Sequence, residues 1–124
     1  MELIIRNTTN QPIYEQIFEQ IKAQILSDAL RPGDALPSIR ALAKDLKISV
    51  ITTKRAYDEL ESAGLIDTVA GKGCFVAEKN LDLVREQQRL ELEQHLRAAL
   101  ELAKSCGITP AELTSLLSTL AEEE

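Results

Sequence analysis

Between Ser38 and Ala63 the sequence demands two short helices with almost no chain between them. Ser38 follows Pro37, and its hydroxyl can accept from the unpaired N–H groups that open a helix. Ile39, Leu42, Ala43 and Leu46 recur at helical spacing, which predicts a helix over 38–46. Lys47-Ile48 is a break, and Ser49 is a second cap. The next helix runs to about Ala63, with Thr53, Ala56, Tyr57 and Leu60 facing inward and Gly64 as its left-handed stop. Two short helices joined by three or four residues form a helix-turn-helix.

The flanks extend this unit. Ile13, Ile17, Ile21 and Ile25, with Tyr14 and Phe18, predict a helix over about 12–28 that starts at Pro12, where a missing N–H is harmless. Arg31-Pro32-Gly33-Asp34 stops it. Residues 2–5 read as a short edge strand or an arm. After Gly64 the period falls toward two. Leu65–Val69 is a strand, Ala70–Gly73 a tight turn and Cys74–Ala77 the returning strand. The fold expected is mainly α with a small β wing, a winged helix-turn-helix over residues 1–79.

Composition shifts at Glu78-Lys79-Asn80, and residues 80–124 form the second predicted segment. From Leu81 the chain is rich in Leu, Glu, Gln and Arg and has no Pro or Gly before Gly107, so one helix of about 25 residues, close to 38 Å long, is predicted. Thr109-Pro110-Ala111-Glu112 is a capping box that opens a last helix bearing Leu113, Leu116, Leu117 and Leu120. Leu81, Val84, Leu92, Leu96, Ala99, Leu100 and Ala103, interrupted by Gln88, add to Leu113 and Leu117. This is more apolar face than one helix pair can hide, which predicts pairing between chains as a homodimer. Packing of the tail onto the winged domain is the alternative.

Formal charge is −6, unpromising for a nucleic-acid binder until it is mapped. Residues 1–79 hold ten basic and eleven acidic side chains, and residues 80–124 hold four and nine. Within 40–55, Arg40, Lys44, Lys47, Lys54 and Arg55 face only Asp45. Such a basic patch suits phosphate contact. The second helix of a helix-turn-helix enters the major groove N-terminus first. With its inward stripe fixed, Val50, Ile51, Lys54 and Arg55 point outward, and Ser38, Arg40, Ser49 and Thr52 complete the candidate DNA contacts. An outward Ile51 is costly in water but suits a thymine methyl. Gly71, Lys72 and Gly73 place a cation on a slender tip for a minor groove or a phosphate. The plainer readings are a three-helix core with solvated cations, an ordinary hairpin, and a winged-helix module that binds protein rather than DNA.

Other functions find no foothold. No run of about 18 apolar residues spans a membrane, and MELIIRNTTNQP lacks a signal peptide's basic start and apolar run, so the cytoplasm is expected. Cys74 and Cys106 have no CxxC partner and read as buried thiols, and His95 stands alone. No nucleophile–base pair, metal-ligand cluster or phosphate-cradling loop is present, so neither an enzyme nor a cofactor is expected.

The run LPSIRALAKDLKISVITTKRAYDELESAGLIDTVAGKGCFV, from Leu36 to Val76, resembles the GntR family of bacterial regulators, as does PIYEQIFEQIKAQILSDALRPGD before it. The resemblance spans about residues 11–77. It rests on ordered motifs: Pro-Gly-Asp before Leu-Pro-Ser-x-Arg, the Ala-x-Asp-Leu helix, Leu-Glu-x-x-Gly-Leu, and the Gly-Lys-Gly-x-Phe-Val wing. It implies a transcription regulator, typically a repressor that occludes a promoter. It also implies DNA contacts at Arg40, Ser49, Lys54, Gly71, Lys72 and Gly73. The family often has Arg-Thr where this chain has Val50-Ile51, which implies a different preferred operator. The short tail is similar to that of the YtrA subfamily, whose helical tail dimerises and whose members resemble regulators of transporter operons. A dimer implies a pseudo-palindromic duplex operator with half-sites about 34 Å, one turn, or a near multiple apart. No residue pattern assigns an effector.

Overall fold

The computed structural model describes residues 1–79 and 81–124; residue 80, at which the sequence sets the start of the tail, lies outside the described residues. The elements are α1 (Ile13–Leu26), α2 (Ile39–Leu46), α3 (Val50–Ser62), β1 (Ile66–Val69), β2 (Gly73–Val76), α4 (Leu81–Ser105) and α5 (Pro110–Glu122). They fall into two compact units, Met1–Arg85 and Glu86–Glu124.

The first unit is the winged helix-turn-helix that the periodicities predict. Ile17, Ile21 and Ile25 of α1 are fully buried with Leu60, Leu65, Ile66 and Val76. Each such side chain contributes roughly 1.5–3 kcal/mol of burial. Pro12 sits one position earlier than the sequence suggests. It is the N-cap of α1, and its carbonyl accepts from the N–H groups of Glu15 and Gln16.

Residues 2–6 are an arm, not a strand. It lies along α1 and is held by three glutamines four residues apart. Gln16 takes both the N–H and the carbonyl of Arg6, Gln20 does the same for Ile4 at 2.8 and 2.7 Å, and Gln24 donates to the carbonyl of Glu2. The match is geometric: two residues of extended chain advance about 6.6 Å and four of helix about 6 Å.

β1 and β2 pair antiparallel, Ile66 opposite Val76 and Val69 opposite Gly73. The stretch after α1 lines the other edge of β2. Gly33 N–H donates to the Val76 carbonyl, Val76 N–H to Asp34 and Leu36 N–H to Cys74, each within 2.8–2.9 Å. Gly33 has φ +85°, a left-handed conformation that favours glycine at this bend.

In the second unit Gly107 breaks the chain after α4, and Thr109 opens α5 with a reciprocal capping box to Glu112. Ala103 alone is buried among the described residues 86–124. The thiol of Cys106 is exposed, contrary to the expectation of a buried one, because it lies past the last turn of α4 and donates only to the Leu102 carbonyl. Cys74 is half-buried in β2. No helix among the described residues is long and apolar enough to cross a membrane, and no group of His, Cys, Asp and Glu among them could hold a metal ion.

Candidate nucleic-acid interface

The turn between α2 and α3 is built by caps at both helix starts. Ser38 Oγ accepts from the Ala41 N–H, and Ser49 Oγ accepts from the Thr52 N–H, each at 3.0 Å. Lys47 closes α2 in the left-handed region, φ +56°. Thr53 is fully buried and donates to the Ser49 carbonyl. Tyr57 spans the angle between the helices, its hydroxyl donating to the Pro37 carbonyl at 2.7 Å. Burial pushes the Tyr57 phenol well above its ordinary pKa, so it stays a neutral donor. With Thr53, Ala56, Tyr57 and Leu60 buried, the opposite face of α3 is presented to solvent.

In the first turn of α3 Val50 is 47% and Ile51 83% exposed, and Thr52 is half-buried. Lys54 is engaged: its ammonium lies 2.8 Å from Asp58, whose hydrogen bond and charge raise its pKa. Arg55 is engaged too, its guanidinium 3.8 Å from the centre of the Tyr14 ring on α1. Arg40, in the first turn of α2, is exposed. Among the described residues neither it nor Lys44, Lys47 or Lys72 makes an ion pair. Gly71, Lys72 and Gly73 form the exposed wing tip. The Lys72 N–H closes the turn on the Val69 carbonyl, and both glycines have positive φ with open space around them.

The two partners of the candidate residues differ in how far periodicity reveals them. Asp58 was legible, four residues after Lys54 on one helix face. Tyr14 was not, because it stands 41 residues from Arg55 and nothing local links them.

The residues grouped for dimerisation divide. Leu81, 5% exposed, and Val84 belong to the core of the first unit. Periodicity placed them with the tail because they begin the same helix, but the winged core reaches into its first turn. Leu92, Leu96, Leu100 and Leu117 are exposed and Leu113 half-buried. A groove of about 530 Å³ in the second unit is lined by Leu96, Leu100, Ala103, Ile108, Leu113 and Leu117, among others.

Comparison with known proteins yields consistent matches. The family described as bacterial regulatory proteins, gntR family, matches residues 13–76. The HTH-type transcriptional regulator YhcF of Bacillus subtilis is 34% identical over 92% of this chain and 93% of its own length. The HTH-type transcriptional repressor YtrA of the same organism is 30% identical over 93% of this chain and 88% of its own. Of solved structures, a GntR family transcriptional regulator from Listeria monocytogenes aligns with a TM-score of 0.74 at 27% identity, covering 93% of this chain and 98% of its own. The DNA-binding domain of AraR, solved in complex with operator ORX1, aligns with a TM-score of 0.55 at 29% identity over 62% of this chain and 96% of its own.

Proposed function

This chain belongs to the gntR family of bacterial regulatory proteins, with YtrA-type relatives over nearly its whole length, and from that premise we propose that it is a cytoplasmic repressor binding a pseudo-palindromic operator as a homodimer. It is a transcription regulator and not an enzyme. The observation that carries the reading is the outward face of α3: its N-terminal turn is capped, rigidly backed by Tyr57 and open to solvent. The AraR domain that matches this region was solved on operator DNA.

In this reading residues 1–79 and the start of α4 form the DNA-binding domain. The contact residues are Ser38, Arg40, Ser49, Val50, Ile51, Thr52, Lys54, Gly71, Lys72 and Gly73, with Arg40 and Lys72 meeting phosphates. Arg55 acts by holding α3 to α1. The tail from Glu86 pairs two copies through Leu92, Leu96, Leu100, Leu113 and Leu117, setting half-sites about 34 Å or a near multiple apart. The YtrA-like tail makes a transporter operon the first promoter to probe.

The test is selection of duplexes from a random pool, followed by salt titration. A dimer neutralising several phosphates loses affinity by roughly a thousandfold or more between 50 and 200 mM salt. Arg40→Ala and Lys72→Ala each lower the slope by about one per contact across all sequences. Absence of any enriched duplex at low salt sinks the reading and favours a protein-binding winged helix.

A further inference from the structure

Several polar groups on α3 that could read a base already have a partner within the protein. Ser49 Oγ accepts from the Thr52 N–H and donates its proton to Thr52 Oγ1 at 2.8 Å. Lys54 is held by Asp58 and Arg55 by Tyr14. The most exposed side chains of its first turn are apolar: Val50, half exposed, and Ile51, almost wholly exposed. Ile51 lies on the face opposite Thr53, Ala56, Tyr57 and Leu60, and Val50, three residues before Thr53, lies at the flank of the buried stripe, both at the end of the helix that enters a major groove.

We infer that α3 reads thymine C5-methyl groups through Ile51, with Val50 beside it, in place of a hydrogen-bonded guanine contact. This rests on the operator-binding reading above. Thymine is the one base that presents a methyl group in the major groove, so an apolar side chain there distinguishes A·T from T·A and from G·C. Ile51 and Val50 are β-branched and therefore stiff at χ1. Fixed in a capped helix, they lose little side-chain freedom on contact, unlike a long cation. Two neighbouring side chains are too small a patch for a stable protein interface, which needs about 800 Å² per partner, yet they match the size of a methyl contact.

The experiment uses the full chain and the best duplex selected from a random pool. Each thymine of one half-site is replaced in turn by deoxyuridine, which removes only the methyl. One thymine is expected whose replacement weakens binding roughly fourfold, the worth of one buried methyl. Ile51→Ala weakens binding to the unmodified duplex by a similar or larger factor and is then indifferent to deoxyuridine at that thymine. Ile51 is exposed, so the variant folds, and the base substitution leaves the protein untouched in any case. The inference is overturned if wild-type binding is unchanged at every deoxyuridine. It is equally overturned if Ile51→Ala remains as sensitive as wild type. If no duplex is selected at all, the operator-binding reading fails first, and that outcome is separate from these.

Discussion

The two units carry the same pattern, Leu and Ile at helical spacing, and it meets opposite fates. In Met1–Arg85 the stripe of Ile17, Ile21 and Ile25 is fully covered, because three helices, a hairpin and the first turn of α4 enclose it. In Glu86–Glu124 Leu92, Leu96, Leu100, Leu102, Leu116, Leu117 and Leu120 stay 43–69% exposed, because two helices cover one another on one side only. The charge differs as well: the first unit carries eleven basic and twelve acidic side chains, the second three and eight. Amphipathic periodicity therefore states that a face must be covered, not by what. The first unit completes itself, and the second has apolar surface left over; in the proposed dimer a second copy carrying the same negative charge would cover it.

The contrast predicts unequal responses to equal changes. Leu60→Ala empties a fully buried site and should cost about 2–5 kcal/mol in denaturant unfolding, whereas Leu117→Ala should change the unfolding of the protomer by less than about 1 kcal/mol. Equal losses break the comparison. Leu100→Glu should weaken the dimer at least tenfold, since it removes apolar burial of roughly 1.5–3 kcal/mol and adds like charge. Sedimentation should then give a halved mass, while the folded winged unit survives. Tyr57→Phe removes one hydrogen bond within the first unit and should cost about 1 kcal/mol. The sign with pH follows from the raised phenol: the native state holds the proton more tightly than the unfolded one, so this stabilisation is complete below pH ~10 and is lost as pH rises beyond it. Alkaline titration of stability should be correspondingly flatter in Tyr57→Phe. The smallest effect is a difference of direction. Added salt should tighten dimerisation severalfold by screening the two acidic tails, while it weakens DNA binding. Dimerisation weakened by salt would show that the tails pair through charge instead.

Local chemistry was legible wherever it was local. Ser38, Ser49 and Thr109 announce their helices and cap them, Gly64 stops α3, and the change of period after it marks the wing. So was the outward direction of Ile51, which follows from the inward stripe of α3, whereas Val50 shares the spacing of Thr53 and Tyr57 and is half exposed because it opens the helix. What escaped depends on residues far apart in the chain. Leu81 and Val84 look like tail residues because they share α4's spacing, and only tertiary packing assigns them to the winged core. Arg55 looks like a free cation, and only the fold brings Tyr14 beneath it. The ladder of Gln16, Gln20 and Gln24 was visible as a repeat of four, but its partner is backbone, which leaves no side-chain signature.

That ladder has a consequence for tolerance to change. The glutamines grip peptide groups, not the side chains of Glu2, Ile4 or Arg6. The arm is thus indifferent to most residue types at these three positions. Proline is the exception at 4 and 6, where the N–H it lacks is one of the two points by which each residue is held.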